Sequence, residues 1–392
     1  MILSVAVVDM ATDLYSVALP NIASYFKVES DTVQLTISLN LMGFAISGLI
    51  YGPLSDRYGR RPIMLVGMTI FTCASIICCI SNDISFLILI RFIQGIGAGV
   101  TGVVGYAAIR DMYSGTEYSK VISKLNMVVA LSPGIAPVVG SYIIANGYNW
   151  QFLFYIISLA AVIMLIFIYY KLQETLDIYA HKNTNFHGIE NNIFQQYIII
   201  FQNYRFLGFS TIHGLTFMWL WGYIANYPFI FESMGIAVQY FGYLISFIVI
   251  FYIIGTLINS KYVPKVGISN MLMIGLILPV ISESILVYCY YFNIFNIFIL
   301  QTAWIPSNIG LALIISNNVT SALDTIQNIG LGSAIISFCN MMFGALGIYI
   351  IGKFCSYGIL SNLLLTITCS TLAVIIYFIL RYSTQDKKLT LV

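Results

Sequence analysis

Asp9 and Asp13, in VVDMATDLYSVALP, are four residues apart, so a helix would put both carboxylates on one face. Both fall inside an apolar run, where an ionised group is costly unless paired or hydrated, and each is a functional candidate by default. A carboxylate in a low-dielectric cavity can take up and release a proton near neutral pH. Asp13, deeper from the end marked by Pro20, is the better placed of the two for proton carriage. The bland alternative is a carboxylate fixed by a partner to hold helices together. Arg91, in RFIQGIGAG, cannot deprotonate and in a bilayer must face a cavity or a carboxylate. It could modulate Asp13 if the two helices face each other, or it could snorkel to the external interface. Glu283, flanked by Ser282 and Ser284 in PVISESILVY, either lines the cavity from the second half or is solvated near that interface. Trp219, Trp221, Tyr223, Asn226 and Tyr227 put aromatics and an amide in one run that could stack on a flat lipophilic ligand. Lipid-interface aromatics are as good a reading. With Tyr15 and Gln94, the residues Trp221, Tyr223 and Asn226 complete the candidate substrate cavity.

These side chains need elements that can hold them in lipid. The chain has 392 residues, 59% of them hydrophobic and 8% charged, with a mean hydropathy of +0.91. Soluble domains carry about a quarter charged residues, so this is a polytopic membrane protein. Apolar runs of about 20 residues recur, each long enough to cross about 30 Å of hydrocarbon. Backbone groups in lipid must be satisfied within the segment, which makes these runs helices. About twelve spans are expected, near 3–24, 32–54, 63–81, 84–108, 121–145, 151–170, 205–227, 238–259, 268–290, 294–315, 330–351 and 358–381. The first run is too long for a cleavable signal, lacks a basic start and carries Asp9 and Asp13. The polar segment 171–204 divides the chain into an N-terminal six-helix bundle, 1–170, and a C-terminal one, 205–392, a layout that duplicated transporters share. With both termini cytoplasmic, 14 Lys and Arg residues fall on the cytoplasmic side and two, Lys27 and Lys353, outside.

Two stretches break the apolar pattern. Residues 52–62, GPLSDRYGRRP, form a turn-like island of four charges. Residues 131–141, LSPGIAPVVGS, carry Pro133 and Pro137 one turn apart with Gly134 and Gly140, which would bend a helix and permit tight contact. Gly48 with Gly52, and Gly95 with Gly99, are small-residue pairs that allow close helix approach. Six of the seven cysteines lie in apolar runs without metal-ligand spacing, Cys355 lies near an external turn, and His181, His187 and His213 suggest no metal site. No HExxH, GxSxG or phosphate-binding glycine loop is present, which argues against a membrane enzyme and against an ATP-driven pump.

GPLSDRYGRRP resembles the signature loop between helices 2 and 3 of the major facilitator superfamily, and RFIQGIGAG resembles its helix-4 motif. SPGIAPVVGS is similar to the helix-5 motif of its drug/proton antiporters, with Ala136 and Ser141 where glycine is common. ATDLYSVALPNI, AAIRDMYSG, GYNWQFLF and YIANYPFIF narrow the resemblance to the bicyclomycin/chloramphenicol-resistance (Bcr/CflA) drug efflux subfamily, over residues 1 to about 260. The resemblance implies an all-α inner-membrane protein of bacteria, a monomer whose two bundles rock about a central cavity. It implies proton-driven export of small lipophilic compounds, with Asp13 as the protonation site and Arg91 as its modulator. Gly52, Asp56, Arg57, Gly59, Arg60 and Arg61 would form the gating motif. Asp56 would sit against the cytoplasmic end of helix 11 near Gly330, where a helix N-terminus favours an anion, and would latch the outward-open state. The loop NSKYVPKVG of the second half has no acid matching Asp56, so no equivalent latch is expected there. The expected partners are a small lipophilic substrate, protons and membrane lipids, with no nucleic acid, cofactor or metal. Proton-coupled transport of one specific metabolite is the alternative.

Overall fold

A computed structural model of the chain describes residues 2–113, 115–176 and 193–389. His181 and His187 lie outside these residues. The described residues form helices and no strand. Among the described residues ten helices are long and apolar enough to cross a membrane, or eleven if the bent pair Leu3–Ser16 and Leu19–Phe26 is one span. The remaining expected span is the 30-residue helix Tyr204–Ser233, whose Arg205, Ser210, His213, Thr216 and Asn226 make it less apolar.

The first span is broken where a continuous helix was expected. Helices α1 (Ile2–Ser16) and α2 (Leu19–Phe26) meet at 60°. Pro20 has no N–H for the Ser16 carbonyl, and the Ser16 hydroxyl turns back to the Asp13 carbonyl at 2.9 Å, so the ladder stops there. The charge island is also not the loop it was expected to be. Helix α3 (Ser30–Tyr58) runs through it and α4 (Arg60–Cys79) begins at once, with Gly59 alone as the joint at φ +100°. Only glycine adopts that backbone without strain.

Next come α5 (Ile84–Val100), a five-residue π-helical turn at Thr101–Gly105, and α6 (Tyr106–Met112). The Asp83 side chain caps α5 through the Phe86 N–H at 2.9 Å. Helix α7 (Gly115–Ala145) continues through Pro133 and Pro137, and α8 (Gln151–Lys171) follows. The segment 171–204 contains helix α9 (Ile193–Gln202), which was expected to be loop. Its Ile200 is buried with Phe206, Ala322, Ile335 and Ile336. The chain then forms α10 (Tyr204–Ser233), α11 (Phe241–Val266), α12 (Ile268–Tyr291), α13 (Ile297–Leu323), α14 (Ile329–Lys353) and α15 (Ile359–Leu389).

The chain divides into two compact units, residues 1–193 with 224–246, and residues 194–223 with 247–392. In the first, α3 and α5 pack backbone to backbone, and a methyl on Gly43 or Gly95 would overlap the backbone of Phe92 or Asn40. In the second, α12 and α13 do the same, and a methyl on Gly310 would lie 2.7 Å from the Gly275 carbonyl. Small residues let helices approach where apolar burial alone gives little drive in lipid. Gly52 is different, since a methyl there would make ordinary contact with Val103 at 3.5 Å.

Candidate functional site

In the first unit α1 carries candidate residues on two sides. Asp13, half-buried, accepts a hydrogen bond from the Ser132 hydroxyl of α7 at 2.7 Å. Gly140 of the same helix lies against the Leu14 carbonyl, where a methyl would come within 2.7 Å. Asp9 lies one turn before Asp13. Tyr15, fully buried, is two residues from Asp13 and so about 200° around the helix. Its hydroxyl shares a 2.7 Å hydrogen bond with Thr36, and its ring lies 4.4 Å from the Arg91 guanidinium carbon. The structure therefore places Asp13 toward α7 and Arg91 with Tyr15. Arg91 does not snorkel: it is 1% exposed, donates from Nη1 to Gln94 Oε1 at 2.5 Å, and has Phe154 at 5.8 Å. Gln94 is held in turn, donating from Nε2 to the Ser75 hydroxyl at 2.7 Å, and Asn40 donates to the Arg91 carbonyl at 2.8 Å.

Gly134 and Pro137 of α7 lie along a seam with the start of α11, inside this same unit. The Gly242 N–H donates to the Ser141 hydroxyl at 2.8 Å, and the Ser246 hydroxyl donates to the Gly134 carbonyl at 2.5 Å. A methyl on Gly242 would overlap the Val138 backbone. Ser141, which stands where the resembled motif has glycine, thus has a partner of its own. Asn226 accepts from Gln34 Nε2 at 3.2 Å, and both are 1% exposed.

In the second unit Glu283 is fully buried rather than solvated, which closes the alternative of a surface carboxylate. It accepts from the Tyr223 hydroxyl at 2.8 Å and from Ser307 at 3.5 Å. The Tyr223 ring meets Trp304 edge-on at 5.0 Å. Trp219, Tyr223, Asn226 and Tyr227 are buried in protein, and half-buried Trp221 covers Gly344. His213 is buried beside Phe217, at 4.8 Å. Among the described residues no three His, Cys, Asp or Glu side chains gather where a metal could be held, and the seven cysteines form no disulfide.

At the charge-rich end of the first unit Arg60 is buried and bonds three residues at once. Nε donates to Asp111 at 2.8 Å, and Nη1 donates to Ser55 at 2.7 Å and to Asp56 at 2.5 Å. The Arg60 and Arg61 backbone N–H groups, the head of α4, donate to the two carboxylate oxygens of Glu174 at 2.8 and 3.1 Å. Arg61 also donates to the Tyr169 carbonyl at 2.9 Å, while Arg57 is exposed beside Tyr58. Sequence reasoning missed Glu174, Ser132, Gln34 and Ser75. Ser132 had a signal, since it directly precedes Pro133; Glu174 had none beyond lying in a polar stretch.

Residues 1–348 match the family profile of the Major Facilitator Superfamily. A bicyclomycin resistance protein homolog of Haemophilus influenzae is 27% identical over 344 residues, 85% of this chain and 83% of that one. Multidrug resistance protein D of Escherichia coli K12 is 37% identical over 164 residues, 41% of each chain. The crystal structure of a D-xylose–proton symporter matches with a TM-score of 0.76 at 14% identity, covering 96% of this chain and 95% of the other, a likeness of fold.

Proposed function

Because the chain belongs to the Major Facilitator Superfamily, and is thus a multi-pass membrane transporter of small substrates and not an enzyme, we propose that it exports lipophilic compounds by proton antiport. It does so as a monomer in a bacterial inner membrane, by alternating access about a central cavity. Asp13 carries the proton. The observation that supports this most is the Ser132–Asp13 hydrogen bond at 2.7 Å, because Ser132 is the residue before Pro133. An ionised carboxylate only accepts, whereas a protonated one also donates, so loading Asp13 changes what Ser132 must do. The α7 motif is thereby informed directly of the charge on α1, and the close packing at Gly140 and Leu14 makes the two backbones move together. The bicyclomycin and multidrug resistance names of the relatives support a drug-like substrate. Asp56 and Arg60 gate the cycle in this reading, while Asp9 and Glu283 are auxiliary proton sites.

The test is drug addition to everted membrane vesicles whose lumen has been acidified by respiration. Wild type should discharge the gradient on addition of lipophilic compounds, and Asp13→Asn should abolish the discharge at unchanged expression. No discharge by wild type for any compound ends the antiport reading, and full discharge by Asp13→Asn moves the proton to Glu283. A second reading, proton-coupled transport of one metabolite, is compatible with a fold that a proton symporter shares. As antiport it would show as discharge by that metabolite alone, and as symport by alkalinisation of the medium when that metabolite is added to right-side-out vesicles.

A further inference from the structure

Arg91 carries a charge in the membrane interior, is 1% exposed, and forms none of the ion pairs found among the described residues. A buried guanidinium without a counter-charge is expensive. Nη1 is occupied by Gln94, whereas Nε and Nη2 are buried and have no hydrogen-bond partner. Those two nitrogens lie on one edge of the planar group, and their parallel N–H bonds match the two oxygens of a carboxylate. The edge is fixed in place. Gln94 is anchored to Ser75, the Arg91 carbonyl is held by Asn40, and the Tyr15 ring against the guanidinium is anchored through Thr36. Asp13 is turned toward Ser132 on the other side of α1 and does not supply the missing charge.

We propose that the Nε–Nη2 edge of Arg91 is a docking fork for the carboxylate of an amphipathic substrate, flanked by the rings of Tyr15 and Phe154. This deepens the transport reading by naming an organic acid as a substrate class. Binding can be measured without a pH gradient, so failure here and failure of proton antiport are read separately.

The experiment is calorimetric titration of the purified full-length protein with benzoate, benzamide and chloride. Benzoate should bind at least about tenfold more tightly than benzamide, its neutral analogue, because only the carboxylate satisfies both N–H groups. Arg91→Lys keeps a positive charge and loses the fork, so benzoate affinity should fall by at least about tenfold. Absent benzoate binding, equal affinity for benzoate and benzamide, or unchanged benzoate affinity in Arg91→Lys, overturns the assignment. Displacement of benzoate by an equal concentration of chloride would overturn the carboxylate in favour of a small inorganic anion. If Arg91→Lys does not fold, the benzoate–benzamide comparison on wild type decides alone.

Discussion

The joints at Gly59 and Gly267 are the same piece of backbone used in two different ways. Each is a single glycine between two long helices, with φ +100° and ψ 154° at Gly59 and φ +84° and ψ 151° at Gly267. Each donates its N–H to the carbonyl four residues back, Ser55 at 3.0 Å and Val263 at 2.9 Å. Around Gly59 the chain gathers Asp56, Arg60, Asp111 and Glu174, and a methyl on Gly59 would lie 2.5 Å from a Glu174 oxygen. Around Gly267 no atom beyond its own neighbouring chain lies within 4 Å of where a methyl would be, the residue after it is Ile268, and Pro264 stands three residues before it, as Asp56 does before Gly59. A turn between helices therefore needs only the glycine. The charges around Gly59 therefore do something other than make the turn.

Substitutions at the two joints would break or sharpen that contrast, each read as thermal unfolding in detergent. Gly59→Ala should cost about 3 kcal/mol and Gly267→Ala about 2 kcal/mol, since both force a glycine-only backbone and only the first also dislodges Glu174. Equal losses would show that the Glu174 contact adds nothing. Arg60→Ala should cost about 2 kcal/mol, below the range for a fully buried pair because the Asp56 side chain is 61% exposed. Its counterpart Ile268→Ala, at an exposed residue, should stay within about 0.5 kcal/mol. A comparable loss at Ile268 would mean the joint is generically sensitive and the charge network is incidental. A smaller effect than at Arg60 belongs to Glu174→Ala, about 1 kcal/mol for a lost helix cap. No change there would leave the head of α4 adequately served by water.

The helices were legible in the sequence because each must satisfy its own backbone over a membrane-sized apolar run, and the expected spans lie on the helices found. Asp13, Arg91 and Glu283 stood out as candidates because ionisable groups are rare at that depth. Their partners were not. Pairing Arg91 with Asp13 required knowing how α1 is rolled, and Tyr15, two residues away, takes the side facing Arg91. Nothing in spacing links Glu174 to Arg60, since no helical or strand period spans 114 residues. The break at Ser16 was hidden because Pro20 sits where a helix can also begin, and α9 was hidden because a ten-residue run reads as loop beside its polar neighbours.

Glu174 also fixes an order of events during synthesis. The chain is made from its N-terminus, and earlier segments begin to fold before later ones exist. The carboxylate that caps α4 emerges 114 residues after Arg60, once α4, α5, α7 and α8 have all been made. Until then the Glu174 carboxylate is not there to cap α4, and the joint is completed only after α4 to α8 have been made, although it lies near the start of the chain.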